Sequence, residues 1–384
     1  NVPVPVVQGG MGVGVSLHPL ASAVATAGGL GLLSSAGLDR IVSRRIGRKV
    51  GTYEAVRIEV AAAKSRGGFA GINIMVALQR DFEASVRGAI DAGADAIVSG
   101  AGLALSLPGI QAPRGTALVP IVSSARALDL ICRRWERLHC RPDDVVLEGP
   151  QAGGHLGFRA DQAELEENKL ERLLPPVKET AMAHGDFPVI VAGGINSHED
   201  VRRFLALGVD RVQLGTRFLA TEESSGSPAY KRAVVRATPE DMIVANTPGS
   251  PCGFPFHVLR ESPMFQSALV RTRLPRCDKG YVLIKDAHGR YALRRRGVQR
   301  EVLLHLRRAL QRRELQRRRR GAAVHGRHGR GARRPQPVRE RSDGQARRDT
   351  RGHADGRVAG PTVGPPAGSA GSRPRTRASE TPAA

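Results

Sequence analysis

Eight short apolar runs punctuate the chain between Val4 and Phe218, and helical patterns separate most of them. They fall in residues 4–11, 29–35, 69–77, 96–100, 118–124, 145–149, 189–195 and 212–218. Apolar runs of strand length without polar alternation suit strands buried on both faces, and strand–helix alternation suits a parallel sheet. Eight such units predict a closed (β/α)8 barrel, the TIM barrel, over an open doubly wound sheet. In that architecture chemistry gathers at the C-terminal strand ends, so the residues just past each run become the candidates.

The last two runs, Val189-Ile190-Val191-Ala192-Gly193-Gly194-Ile195 and Val212-Gln213-Leu214-Gly215-Thr216-Arg217-Phe218, both pass through glycine into helical sequence. Glycine lets backbone N–H groups approach an anion, so Gly193, Gly194, Gly215 and Thr216 are candidates for a phosphate site after strands seven and eight. The other reading is a pair of strand ends whose glycines only permit a turn. The first run closes on Gln8-Gly9-Gly10-Met11, and the third carries Asn73 among apolar neighbours. A buried amide there needs a partner, from a ligand or from loop backbone. After the sixth run comes Gly153-Gly154-His155, which offers an imidazole at the mouth or a loop histidine bonded to backbone. Ser99, Ser123 and Ser124 end strands where hydroxyls often cap the next helix, and are left out of the site. Glu148 reads as orienting the loop it precedes, and His18, His139, His184, His198 and His257 read as surface or capping residues.

Composition matters where the chain changes character. Residues 294–384 hold 25 Arg, no Lys and 7 acidic residues, so this stretch carries +18 of the formal +23 and leaves only +5 elsewhere. The same stretch has no Phe, Tyr or Trp to stack on bases, which argues against a nucleic-acid arm; disorder, or a GC-rich gene read out of frame, accounts for its composition. The expected organisation is a barrel over residues 1–235, a loop-rich segment near its mouth over 236–293, and the tail from 294. Residues 247–256 are expected to lie over the mouth or to run across the surface. Cys132, Cys140, Cys252 and Cys277 form no CxxC pair and no metal spacing with histidine, so reduced thiols, no metal and a cytoplasmic setting are expected. No apolar run approaches the roughly 18 residues of a membrane span. Hydrolase signatures such as HExxH are absent from the sequence.

Taken together, Gln8-Gly9-Gly10-Met11-Gly12, Ala27-Gly28-Gly29-Leu30-Gly31, Gly71-Ile72-Asn73, Ile121-Val122-Ser123-Ser124, Glu148-Gly149-Pro150-Gln151-Ala152-Gly153-Gly154-His155, Ala192-Gly193-Gly194-Ile195 and Gly215-Thr216-Arg217-Phe218 resemble the nitronate monooxygenase family, formerly grouped with 2-nitropropane dioxygenases. The resemblance covers roughly residues 3–290. It implies an FMN-dependent barrel that oxidises alkyl nitronates with O2 to carbonyl compounds and nitrite. It further implies that Gly193, Gly194, Gly215 and Thr216 hold the FMN phosphate, that Gly9, Gly10, Met11 and Asn73 meet the flavin ring, and that His155 lies beside its reactive face. The Gly-Gly-His motif is shared with FMN-dependent enoyl-ACP reductases and NADH:quinone reductases, so an NAD(P)H-dependent reductase of an enoyl thioester or quinone is the alternative. Related chains usually continue past Tyr291 with a cysteine-containing segment, where this one is Arg-rich.

Overall fold

The eight runs become eight parallel strands that close on themselves in chain order, the last pairing with the first through Val6↔Val212, Val7↔Gln213 and Gln8↔Leu214. The computed structural model describes residues 2–245 and 255–270, together with the backbone of residues 283–285 and 291–293. In order, the barrel elements are β1 (Val6–Gln8), α1 (His18–Thr26), β2 (Leu30–Ser34), α2 (Leu38–Ile46), α3 (Thr52–Lys64), β3 (Phe69–Met75), α4 (Gln79–Asp91), β4 (Ala96–Gly100), β5 (Ala117–Val122), α5 (Ala125–Glu136), β6 (Val145–Glu148), α6 (Leu170–Ala183), β7 (Val189–Ala192), α7 (His198–Ala206) and β8 (Arg211–Leu214). There follow α8 (Thr216–Leu219), α9 (Pro228–Arg236), β9 (Met242–Ala245), β10 (Phe256–Leu259), α10 (Pro263–Leu269), β11 (Leu283–Lys285) and β12 (Tyr291–Leu293). The TIM barrel expected from the apolar runs is the fold. Cys252, Cys277, residues 247–254 and the tail from 294 lie outside the described residues.

Successive residues of each strand split between two cores, because side chains alternate across a strand. Val7, Leu30, Leu32, Val98, Val119, Val146 and Ile190 fill the barrel interior. Leu33, Ile72, Ile97, Leu118, Leu147, Val191 and Val212 face outward and pack with helix residues such as Val56, Val86, Ile131 and Trp135. Each fully buried aliphatic side chain contributes about 1.5–3 kcal/mol. The alternation also fixes direction at the mouth: with Val146 inside and Leu147 outside, Glu148 turns inward, and with Val212 outside, Gln213 turns inward. The small-residue character of α1 is used for close approach, since a Cβ on Gly31 of β2 would stand within 2.7 Å of the Ala21 carbonyl carbon.

The opposite end of the barrel carries a repeated aspartate device. Asp95, Asp143 and Asp210 precede β4, β6 and β8, and each carboxylate accepts a backbone N–H from the start of the preceding strand: Ala70 at 2.8 Å, Leu118 at 2.7 Å and Val189 at 2.9 Å. Each aspartate returns its own N–H to the carbonyl of the same residue, at 2.9, 3.1 and 3.0 Å. Three strand pairs are thereby locked in register at the face that serves stability rather than chemistry.

Three connections show what the apolar runs alone do not. The polar stretch before α3 contains the amphipathic α2, of which only Leu38 and Val42 are buried. Between β4 and β5 there is no α-helix, only a 3-10 turn at Leu107–Gly109, and Trp135 of α5 reaches across to donate its indole N–H to the Ala104 carbonyl at 2.8 Å. The sequence from Ala220 to about Val235 also reads as one helix, whereas the structure has the one-turn α8 before it and helix only from Pro228, in α9. Among the described residues no helix is long and apolar enough to cross a membrane.

Candidate active site

Gln8 is wholly buried, and its amide is committed to backbone and hydroxyl partners: Oε1 accepts the Leu32 N–H at 3.0 Å, while Nε2 donates to Ser16 Oγ at 2.9 Å and to the Gly9 carbonyl. Ser16 Oγ also accepts the Met11 N–H at 2.9 Å, so two buried side chains hold the turn after β1 from beneath. The Gly9 N–H donates to the Leu214 carbonyl at 2.8 Å, tying that turn to β8. Gly10 lies against β2 and β3, where a Cβ would approach Leu33 O to 2.5 Å and crowd Asn73 Cβ. Met11 Sδ lies 3.8 Å from the position a Cβ on Gly215 would take. Gly9, Gly10, Met11, Asn73 and Gly215 therefore share one arc of the mouth.

Three groups on this arc have capacity that the protein does not use. The half-buried Asn73 amide makes no hydrogen bond among the described residues. Gln213, 9% exposed and beside Gly9, has its Oε1 buried without a partner among them. A buried acceptor left unpaired costs about 1–3 kcal/mol, so such a group is accounted for when a ligand donor reaches it. Gly215 has an ordinary φ of −119°, and nothing among the described residues crowds its missing side chain. Neither backbone strain nor packing demands glycine at that position, whereas a ligand lying against the chain would.

Gly193 and Gly194 differ. Both have positive φ, +105° and +75°, and both are pressed by the loop after β6: a Cβ on Gly193 would stand 2.9 Å from the Ala152 nitrogen, and one on Gly194 would overlap Gln151 Oε1. With Gly149, Pro150 and Gln151 they line a cavity of about 620 Å³ whose other walls include Leu170, Arg203, Phe204, Val244 and His257. The four residues expected at a phosphate thus occupy two neighbouring places, Gly193 and Gly194 on the β6–β7 flank, Gly215 and the exposed Thr216 beyond β8. Arg217 joins the two loops by donating Nε–H to the Asn196 carbonyl at 2.5 Å.

His155 is held by β10. It forms an isolated antiparallel bridge with Phe256, and the two rings stack with centroids 5.9 Å apart and planes at 29°. The Leu156 N–H donates to the Pro255 carbonyl at 2.8 Å, and the His257 N–H to the Gly154 carbonyl at 3.2 Å. The His257 ring adds a bond of 2.7 Å from Nδ1 to the Ala152 carbonyl. Burial pushes the His155 imidazole below its usual pKa, which leaves the ring neutral at physiological pH. Seven residues earlier the inward-facing Glu148 is shifted the other way, burial pushing its carboxyl up to about 7. Its carboxylate forms no hydrogen bond or ion pair among the described residues.

Comparison with known proteins decides what kind of barrel this is: a sequence model described as nitronate monooxygenase matches residues 1–252, which take in all eight strands and every predicted site residue. The chain belongs to the nitronate monooxygenase family. Its members are oxidoreductases and flavoenzymes. A nitronate monooxygenase of Pseudomonas aeruginosa is 41% identical over 96 residues, 24% of this chain and 25% of that protein, so the match spans about a quarter of that relative's length. A carboxyl-CoA dehydrogenase of Mycobacterium tuberculosis is 29% identical over 258 residues, 67% of this chain and 63% of that one. Among solved structures, FabK from Thermotoga maritima superposes with a TM-score of 0.56 at 27% identity, covering 70% of this chain and 75% of its own.

Within this family member, Gln213 escaped the sequence reading, Glu148 was read only as orienting its loop, and Phe256 only as the end of a segment over the mouth or across the surface. Gln213 looks like an ordinary polar residue within a strand, and only the outward parity of Val212 marks it as facing inward; the inward parity of Val146 sets the direction of Glu148. Phe256 and His257 lie about a hundred residues from the loop they touch, beyond the matched segment. The reading of His257 as a surface or capping residue is corrected by its ring bond to Ala152, just before the Gly-Gly-His motif. His18 also has a specific partner, the buried Glu59 at 3.2 Å, while His184 does cap α6 and its ring in addition meets Asp129 and Glu136. Their partners come from distant helices, which spacing in the sequence does not reveal. Ser124 does cap α5, accepting the Ala127 N–H at 3.3 Å, in keeping with its exclusion from the site. Among the described residues no group of three His, Cys, Asp or Glu side chains is arranged to hold a metal.

Proposed function

We propose that this protein binds FMN and uses O2 to oxidise alkyl nitronates to carbonyl compounds and nitrite. The family match across the whole barrel carries this reading. The mouth fits the cofactor on two counts: among the described residues Gln213 Oε1 is a buried acceptor in want of a donor, and neither strain nor crowding there demands the glycine at 215. Gly9, Gly10, Met11 and Asn73 would meet the ring, with Gln213 alongside. The backbone at Gly193, Gly194, Gly215 and Thr216 would take the phosphate. When bound, the flavin supplies the redox chemistry, taking electrons from the nitronate and passing them to O2.

The chain's own part is to place the substrate and hold its charge. A nitronate has already lost its α-proton, so the site needs a donor more than a base. The neutral His155 ring can donate one N–H to a nitro oxygen without adding a buried charge. For a neutral nitroalkane, the same imidazole would serve as base through its unprotonated nitrogen.

The test is His155→Ala in protein whose released chromophore has been identified as FMN. The variant should keep its flavin and lose turnover of propyl nitronate by at least roughly 100-fold, on the scale of one positioned catalytic group. Undiminished turnover would remove His155 from the mechanism, and FAD would overturn the cofactor. A second reading, an NAD(P)H-dependent reductase of an enoyl thioester or quinone, is favoured by the broad match to the carboxyl-CoA dehydrogenase. Rapid flavin reduction by NADH selects it.

A further inference from the structure

His155 sits in a loop that glycine makes loose: among the described residues neither Gly153 nor Gly154 has a neighbour within 4 Å of where a Cβ would stand, and Gly154 has a φ of +85°. A catalytic imidazole on such a segment acts well only if something outside the segment fixes it, because a misplacement of about 1 Å can cost on the order of 100-fold in rate. The loop runs past β5 on one side, where a Cβ on Gly157 would meet Ser123 Cβ at 2.9 Å. On the other side its constraint is β10, through four contacts already described: two backbone bonds, the Phe256 ring and the His257 ring.

We propose that β10 is a strap that positions His155, Phe256 setting the orientation of the imidazole and His257 anchoring the backbone just before it. Two details carry this assignment. A carbonyl oxygen only accepts, so the bond to Ala152 requires the proton of His257 to be on Nδ1; the contact is therefore a specific donor interaction rather than surface proximity. The His257 N–H and its ring also grip the loop on both sides of Gly153, at Gly154 and Ala152, so the flexible glycine is spanned. Phe256 covers the His155 ring with apolar surface, which favours the neutral imidazole. Among the described residues on the elements against this loop, the titratable side chains are Glu148 at the end of β6 and His257 on β10. Farther along the loop, Arg159 and Asp161 pair with each other at the surface. The strap comes from beyond the residues that the family match covers. Phe256 and His257 are thus positioning residues, and they act through His155.

This rests on the proposed nitronate chemistry only for its kinetic arm, so two measurements are made on the flavin-loaded full chain. In the first, His257→Ala should keep its flavin and its KM for propyl nitronate within about threefold while kcat falls at least about tenfold. His257→Asn, whose amide nitrogen can stand where Nδ1 stands, should recover most of that loss. In the second, the titration of His155 is followed by NMR of ring-labelled histidine, assigned with His155→Gln. It should fall below the ordinary value near 6.5 in the wild type and move up toward it in Phe256→Ala. Phe256→Leu, which keeps apolar cover, should move it less. If nitronate turnover is absent in the wild type, the functional reading fails, while the NMR arm still judges the strap. An unchanged His155 titration in Phe256→Ala overturns the strap whatever the kinetics. So does a loss of kcat in His257→Ala that His257→Asn does not relieve.

Discussion

Glu148 and His155 stand seven residues apart, and burial moves their titrations toward each other, the acid up and the imidazole down. For Glu148 this has a consequence for stability. A carboxyl at about 7 in the folded chain, against roughly 4.3 in the unfolded one, means that the folded state holds the proton more tightly. The contribution is intact below about pH 4 and is lost as pH rises through about 7. Glu148→Gln, which remains neutral, should therefore match the wild type in urea unfolding at low pH and exceed it above pH 7, by on the order of 3–4 kcal/mol. A gap that does not depend on pH would show that burial is not what governs this carboxyl. What the sequence revealed at this scale was glycine and histidine, since a Gly-Gly-His motif needs no fold to be noticed. Gln213, Glu148, Phe256 and His257 required knowing which way a strand residue points, or which distant strand lies alongside.

Among the elements, the strands were legible because parallel strands buried on both faces are written as unbroken apolar runs, such as Val145-Val146-Leu147. Helix α2 was not, because its two buried residues, Leu38 and Val42, are set among Asp39, Arg40, Arg44 and Arg45 and give a stripe barely one turn long. The aspartates before β4, β6 and β8 were visible as letters but not as a device, since their partners are 21 or 25 residues away. Their role predicts a specific loss. Asp143→Ala leaves the Leu118 N–H without its acceptor and should destabilise the fold by about 1–2 kcal/mol in denaturant unfolding, with flavin affinity unaltered because the site is at the other end of the barrel. Asp143→Asn, which keeps an acceptor oxygen, should lose less. Equal losses in the two variants would mean that the carboxylate does not act through this bond.

At the scale of the whole molecule, the barrel and the family were within reach of the sequence because seven of the eight strands carry or adjoin a fragment of the signature, and the family match takes in all of them. The architecture after β8 was not, since the β9–β10 pairing joins residues 242–245 to 256–259 across a stretch that reads only as Pro- and Gly-rich loop. Residues 294–384 carry +18 of the formal charge and none of the proposed site, so we propose that a chain ending at Leu293 binds FMN as well as the full chain does. Fluorescence titration of the two with FMN checks this, and a large loss of affinity on truncation would give the Arg-rich stretch a part in the site. The central proposal, a barrel whose mouth oxidises nitronates, is tested most directly by O2 uptake in flavin-loaded protein supplied with propyl nitronate, with NADH in parallel. Nitronate-dependent O2 consumption with nitrite formed, and slow or no oxidation of NADH, is the expected result. Fast NADH oxidation without nitronate-dependent O2 uptake would contradict it and make the protein a reductase.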